Sequence, residues 1–245
     1  MEFTFGIITT GHNDNFINII INSIENNKIP NYEIIIVGNT NITGNKYTKC
    51  FTFDETIKGG WITRKKNIIS KNAQYENIVF LHDYIAFNND WYKGFLKFGN
   101  NFGFCINKII NRNGARFRDY SLFPGKVDYL NIDYSPDDIH PYFSNNCLLP
   151  YNFINNIKTN KYMYVSGSYY VIKKNIANTF LLDENLVWGR GEDVEYSKRL
   201  HNNGIIIQCN QFSSVQLLKY KPSVHWEKEI NPQMLQVYVD YCNNN

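Results

Sequence analysis

The chain has 245 residues, of which 43% are hydrophobic and 16% aromatic, so it can bury a large core and is not an intrinsically disordered protein. Its net charge is +3 and its longest basic run is Arg64-Lys65-Lys66, so charge does not indicate a nucleic-acid partner. No apolar run approaches the roughly 20 residues that span a bilayer, and the first residues lack a signal-peptide pattern. We therefore expect a globular, cytoplasmic protein without a membrane span.

The first 85 residues alternate between short apolar runs and amphipathic helical patterns. The predicted strands cover residues 3–8, 33–37, 50–53 and 78–81. Helices are predicted to begin at Asn13 or Asp14 and near Thr63. This alternation predicts an α/β fold with right-handed crossovers, a mostly parallel sheet and helices on its faces. Ligands of such sheets bind at the carboxyl ends of the strands.

The second half of the chain is less regular. After a helix from Trp91 and a strand over 102–106, residues 111 to 162 are rich in Asn, Asp, Tyr and Pro, which predicts long ordered loops or an insertion. Further elements are predicted as a strand over 163–173, helices over 175–181 and 192–201, strands over 205–209 and 215–220, and a helix from Pro232. Without a repeat or a flexible linker, we expect one domain, 1–245, with halves 1–106 and 107–245.

An acid follows the fourth predicted strand. The apolar run Ile78 to Leu81 stops at His82 and Asp83. A carboxylate at a strand end can supply one hard ligand to the divalent cation of a nucleotide diphosphate. The structural alternative is that Asp83 only turns the chain. His82 is predicted to point to the other side of the strand, where it either packs or ligates.

Two more segments of the first half suit a nucleotide. Asp54, after the third strand, can accept a hydrogen bond from N3–H of uracil, which cytosine cannot donate. Lys58-Gly59-Gly60, and then Lys65-Lys66-Asn67 at a helix start, offer cations and backbone amides to a diphosphate. The alternative for the basic residues is a solvated helix end.

The segment Trp188-Gly189-Arg190-Gly191-Glu192-Asp193 opens a predicted helix. Acids in a first helical turn are favoured by the helix dipole, so the pair could be a simple cap. Capping does not account for the preceding tryptophan and glycines. An indole that stacks on a sugar ring and an acid that binds its hydroxyls would form an acceptor site. Later in the chain, His225 beside Trp226 is either a packed histidine or a metal ligand.

These segments resemble those of the nucleotide-sugar glycosyltransferases of the GT-A fold. IITTGHND resembles the first strand and nucleotide loop of that family, and KGGWITRKKN resembles its glycine, basic residue and asparagine segment. LHDY stands at the place of the metal-binding DxD motif. WGRGEDVEYSKRL resembles the acceptor and base motif. The resemblance covers most of the chain and implies a Rossmann-like GT-A domain with a smaller, mixed acceptor-side sheet.

The resemblance also implies roles for particular residues. Thr10 and Asn39 would border the nucleoside, Lys66 would meet the diphosphate, and Asp193 would be the general base. The full predicted donor set is Thr9, Thr10, Asn39, Asp54, Lys58, Gly60, Lys66, Asn67, His82 and Asp83. The predicted acceptor set is Gly167, Trp188, Gly189 and Glu192. Leu81 replaces the first aspartate of DxD, so the implied Mn²⁺ or Mg²⁺ would be held by Asp83 and completed by His225 or water.

The predicted activity is metal-dependent, inverting transfer of a hexosyl or N-acetylhexosaminyl group from a UDP-sugar to a hydroxyl of a glycan or glycoprotein. One alternative is a nucleotidyltransferase that makes the sugar nucleotide, although only Gly11 stands where such enzymes have a glycine-rich basic loop. Another is a non-catalytic carbohydrate- or nucleotide-binding module, which the missing first aspartate suggests.

Overall fold

A computed structural model describes residues 1–122, 147–153, 156–222 and 229–244, and the backbone of 126–127 and 132–133. Its helices are α1 (Asp14–Asn26), α2 (Ile62–Asn72), α3 (Trp91–Phe98), α4 (Lys174–Thr179), α5 (Glu192–Asn202) and α6 (Pro232–Asn244). Its strands are β1 (Phe3–Ile8), β2 (Tyr32–Val37), β3 (Thr48–Phe51), β4 (Asn77–His82), β5 (Ile85–Phe87), β6 (Phe104–Ile110), β7 (Tyr120–Leu122), β8 (Lys126–Val127), β9 (Ile132–Asp133), β10 (Cys147–Leu148), β11 (Met163–Val165), β12 (Tyr169–Lys173) and β13 (Ile207–Leu217).

The central sheet has eight strands in the order β3-β2-β1-β4-β12-β6-β13-β5. Strands β1 to β4 are parallel to one another, as the alternation of strands and helices predicted. Strand β12 then runs antiparallel between β4 and β6, and β5 runs antiparallel to β13. The predicted α/β fold class is confirmed, and its sheet is mixed because the later strands do not all enter through crossover helices.

Two strand assignments and the smaller sheet differ from the sequence-based prediction. The strand predicted over 163–173 is two strands in different sheets, since the chain turns at Ser166 to Ser168 and leaves the small sheet for the central one. The strands predicted over 205–209 and 215–220 are one strand, β13, with a register shift between Asn210 and Ser214. The smaller sheet, β10-β7-β11, is antiparallel.

Apolar side chains from both halves form one continuous core. Helix α1 packs Ile17, Ile20 and Ile24 toward the sheet, as its spacing predicted. The rings of Phe5 and Trp91 lie 5.5 Å apart in an aromatic cluster under the sheet. Among the described residues, no helix combines the length and apolarity needed to cross a bilayer. The core holds the strand ends in place and leaves their carboxyl edge open for a site.

Candidate active site

Asp83 is held at the carboxyl edge of the sheet by the neighbouring strand. The Thr9 hydroxyl donates to Asp83 Oδ2 at 2.7 Å, and the Asp83 amide donates to the Ile8 carbonyl at 3.2 Å. Asp83 is 6% exposed. Its Oδ1 accepts no hydrogen bond from the part of the chain that the structure describes. The carboxylate is thus fixed in orientation and keeps one oxygen for a ligand.

Gly167 connects Asp83 with the acid pair of α5. The His82 amide donates to the Ser168 carbonyl at 3.0 Å, in the antiparallel register of β4 and β12. Continuing that register places Gly167 opposite Asp83, about 5 Å away, the spacing of adjacent strands. The Gly167 amide in turn donates to Asp193 Oδ2 at 2.9 Å. Asp83 and Asp193 are therefore both neighbours of one glycine, the first by strand register and the second by a hydrogen bond.

The N-terminus of α5 explains why residue 167 is a glycine. A Cβ atom at that position would lie 2.8 Å from Glu192 Oε1 and 3.1 Å from Asp193 Cβ. The helix begins after Gly191, whose φ of +69° is easily adopted only by glycine. Asp193 Oδ1 also accepts the Val194 amide at 3.0 Å. Two backbone amides thus orient the Asp193 carboxylate.

Lys66 lies beneath this acid pair. It is 1% exposed, and its Nζ donates to the Gly167 carbonyl at 2.6 Å. Burial lowers the pKa of Lys66 to about 8, although the carboxylates of Glu192 and Asp193 act to raise it. The resemblance implied that Lys66 meets the diphosphate, and in the structure its ammonium group donates to the carbonyl of Gly167, a residue of the predicted acceptor set.

Glu192 titrates in an unusual range. Burial, together with the charge of Asp193, raises the pKa of Glu192 to about 7, while Lys66 acts to lower it. A raised carboxyl pKa favours the folded state fully below pH 4.5, and this contribution is lost as the pH rises through 7. In the unmodified protein, the free energy of unfolding should therefore fall by about 3 kcal/mol between pH 4.5 and 7 because of Glu192. Glu192→Gln should not show this fall. Urea denaturation of both proteins between pH 4.5 and 7.5 measures it, and parallel curves would contradict the prediction.

An open cleft of about 280 Å³ lies above Asp83. Its lining residues are Ile8, Thr9, Thr10, Asn13, Gly60, Ile62, Lys65, His82, Asp83, Tyr84, Trp188 and Lys219. The cleft therefore brings together five of the predicted donor residues and the predicted stacking tryptophan. Trp188 is 66% exposed, and its amide donates to the Gly60 carbonyl at 2.9 Å. Its ring is available to a ligand at the cleft edge.

His82, the last residue of β4, also lines the cleft. Its Nε2 is buried and has no hydrogen-bond partner among the described residues. Burial, with Lys66 and other lysines, lowers the pKa of His82 well below its usual value, so the ring is neutral near pH 7. A buried polar nitrogen without a partner is uncommon in native proteins and suits a bound ligand.

Several predicted donor residues make contacts outside the cleft lining. Asp54 is exposed, and its Oδ1 accepts the hydroxyl and amide of Thr56. Lys58 donates to the Glu184 carbonyl at 2.7 Å. Asn67 is buried and donates to the Leu182 carbonyl at 2.9 Å.

Three predicted positions remain. Asn39 is exposed beside Gly11, where a Cβ on the glycine would lie 2.8 Å from the Asn39 carbonyl oxygen, so it borders the loop that follows β1. Gly189 lies in the exposed turn before α5 with a φ of +76°. His225, the second predicted metal ligand, is outside the described residues. Across the described ranges, no group of three His, Cys, Asp or Glu could hold a metal ion.

Sequence reasoning missed Tyr84 and Lys219, which both line the cleft. Tyr84 directly follows Asp83, and Lys219 follows the end of β13. The alternation of basic residues in Lys219-Tyr220-Lys221 was the available signal. The strand predicted over 215–220 includes Lys219 and Tyr220, whereas β13 ends at Leu217.

No protein-family model matches the chain, and no curated protein matches it by sequence. Solved structures do match. GalNAc-T7, with UDP, GalNAc and Mn²⁺, is similar with a TM-score of 0.59 at 12% identity, over 99% of this chain and 50% of that one. S. aureus TarS is similar with a TM-score of 0.54 at 13% identity, over 99% and 39%. TarS 1-349 in complex with UDP-GlcNAc has a TM-score of 0.53 at 14% identity, over 92% and 60%.

The chain thus spans about half the length of the structures that it matches. The identities are low, so the similarity establishes the fold. It extends over nearly the whole chain. The chain has the GT-A fold of nucleotide-sugar glycosyltransferases.

Proposed function

We propose that this protein is an inverting glycosyltransferase that moves a hexosyl or N-acetylhexosaminyl group from a UDP-sugar to a hydroxyl of a glycan or glycoprotein. The observation that carries the proposal is that Asp83 lines the cleft and Asp193 accepts the amide of Gly167, the residue opposite Asp83 in the register of β4 and β12. GalNAc-T7 with UDP and Mn²⁺, and TarS with UDP-GlcNAc, share the fold, which supports a UDP-sugar donor.

In the proposed reaction, the acceptor hydroxyl gives its proton to Asp193 while its oxygen bonds to the anomeric carbon. The bond from that carbon to the UDP oxygen breaks in the same step, and its electron pair leaves on the diphosphate. A carboxylate has about four lone-pair positions, and the amides of Gly167 and Val194 use two in Asp193, so the hydroxyl still finds an acceptor. Trp188 would stack on a sugar ring at the cleft edge.

Asp83 would hold the divalent cation, Mn²⁺ or Mg²⁺, through its unpaired Oδ1. Mg²⁺ commonly binds proteins through one or two carboxylates together with substrate phosphates, so a single aspartate suits a metal that arrives with the diphosphate. Neutral His82 adds a nitrogen that has no partner in the described part of the chain. When bound, such a cation would stabilise the negative charge of the leaving diphosphate.

A thermal-shift experiment tests the donor class. At 100 times its Kd, UDP should stabilise the folded protein by about 2.7 kcal/mol, which raises the Tm of a chain of this size by roughly 5 to 10 °C. The screen compares UDP, CDP and UDP-sugars with and without Mn²⁺. Asp83→Asn should lose the part of the shift that depends on Mn²⁺. No shift with any nucleotide would contradict the proposed function.

A non-catalytic binding module is the second candidate. It is favoured by the single carboxylate that the described residues bring to the cleft lining and by the lack of a three-residue metal group in the same ranges. Release of UDP from a UDP-sugar without acceptor distinguishes the two. Slow, metal-dependent release supports the transferase, whereas binding without any turnover supports the module.

A further inference from the structure

Two lysines beyond the end of β13 lie over the ring of Tyr84. Lys219 Nζ is 4.4 Å from the ring centroid and Lys221 Nζ is 4.3 Å from it. Lys221 Nζ also donates to the Tyr84 hydroxyl at 2.7 Å. The Leu218 amide donates to the Tyr84 carbonyl at 2.8 Å, which ties this segment to the residue after Asp83. The position of both ammonium groups relative to Asp83 is therefore set by the backbone and by the ring.

Lys219 differs from the other cation of the cleft in having no acid partner. Lys65, the second lysine in the lining, forms an ion pair with Glu55 and donates to the Thr9 carbonyl. Within the described ranges, Lys219 forms neither an ion pair nor a hydrogen bond, although it is half-buried. Holding a partly desolvated ammonium group without a counterion is unfavourable unless a ligand supplies the negative charge.

The charge balance around Asp83 indicates what that ligand is. Of the described residues, Asp83 is the single acid in the cleft lining, whereas Lys65 and Lys219 both line the cleft and Lys221 lies over the same Tyr84 ring as Lys219. Burial and the charges of Arg118 and Lys219 lower the pKa of Lys221 to about 8, while the charge of Asp83 acts to raise it. The site has an excess of positive charge next to the residue that would hold the metal. A diphosphate supplies the compensating negative charge.

We propose that Lys219, held in place by Tyr84 and Lys221, binds the diphosphate of the donor nucleotide directly, so that a nucleoside diphosphate binds this protein without a divalent cation. The proposal rests on the proposed function, since it concerns the donor of the same site. Leu81 replaces the first aspartate of the DxD motif, which would help to hold a metal ion. In this proposal, Lys219 supplies part of the positive charge that the metal ion would bring to the diphosphate. Phosphate oxygens accept such charge-assisted hydrogen bonds readily.

The test is calorimetric titration of UDP and uridine into the full chain in EDTA. We expect UDP to bind at least about 10-fold more tightly than uridine, and Lys219→Met to lose about that factor for UDP with no change for uridine. Lys219→Arg should keep most of the UDP affinity. Lys97→Met is the matched control, because Lys97 Nζ also lies over an aromatic ring, 4.1 Å from the Phe212 ring centroid, and neither residue belongs to the cleft lining. An unchanged Tm of each variant confirms that it is folded.

Two results would overturn the role of Lys219 alone. One is UDP binding by the unmodified protein in Mn²⁺ but not in EDTA, which leaves the proposed function standing. The other is UDP affinity in EDTA that Lys219→Met does not alter, which likewise rejects only the lysine. Failure of UDP to bind under either condition would reject the proposed function together with the lysine's role.

Discussion

Asp193→Asn is expected to lower the rate of sugar transfer by at least about 100-fold, the lower end of what a positioned general base contributes. An amide cannot take the proton of the acceptor hydroxyl at neutral pH. The side-chain oxygen of the new amide would still accept the Gly167 N–H, while its NH2 group cannot accept the Val194 N–H, so the side chain keeps one of its two backbone contacts. UDP affinity should change by less than about twofold, because the contacts of Asp83 are untouched. Transfer rates at saturating donor, with calorimetry of UDP, measure both quantities.

Asp240→Asn provides the control for Asp193→Asn. Asp240 is an exposed acid on α6, and its removal changes the net charge by the same amount without touching the cleft. Transfer by that variant should match the unmodified protein. Turnover retained by Asp193→Asn would remove Asp193 from the role of base and leave Glu192 as the remaining acid of the pair.

Lys66→Met is expected to lower turnover about 10-fold or more without destabilising the fold. Lys66 Nζ donates to the Gly167 carbonyl, and the Gly167 amide donates to Asp193. Loss of the lysine therefore frees the glycine that orients the proposed base, and a poorly oriented base slows the reaction. The burial that lowers the pKa of Lys66 to about 8 also means that its charge costs stability below that pH. A methionine fills similar space without that cost. Kinetics and urea denaturation at pH 7 measure the two effects.

The pH profile separates a positioning role of Lys66 from a general packing effect. The ionised form of Glu192, the predicted acceptor-binding acid, is the form that accepts a hydrogen bond from an acceptor hydroxyl. Because Lys66 lowers the pKa of Glu192, removal of Lys66 should shift the acid limb of the kcat/KM profile for the acceptor to higher pH. Lys71→Met, which replaces an exposed lysine in the last turn of the same helix, should change neither kcat nor the profile. A drop in kcat with an unshifted profile, or a loss of stability, would argue that Lys66 only fills the core.

Most of the fold was predictable because its signals are local. Apolar runs of four to six residues that stop at polar ones define β1, β2 and β4, and the spacing of Ile17, Ile20 and Ile24 defines α1. The same rule places Asp83 at the carboxyl edge of the sheet. The strand predicted over 163–173 was wrong because alternation of side chains does not reveal which sheet a strand joins.

The sequence by itself determined which residues are available to the site: the acid at a strand end, the tryptophan and glycine turn, and the acid pair of a helix start. The tertiary structure decided which of them meet. Lys66 is 101 residues from Gly167 in the chain and Gly167 is 26 residues from Asp193, yet consecutive hydrogen bonds join all three. Contacts across such separations depend on how strands and helices pack, because a motif specifies residue types and not the direction of a buried side chain. For the same reason, Lys219 became a candidate only when β13 was found beside β5.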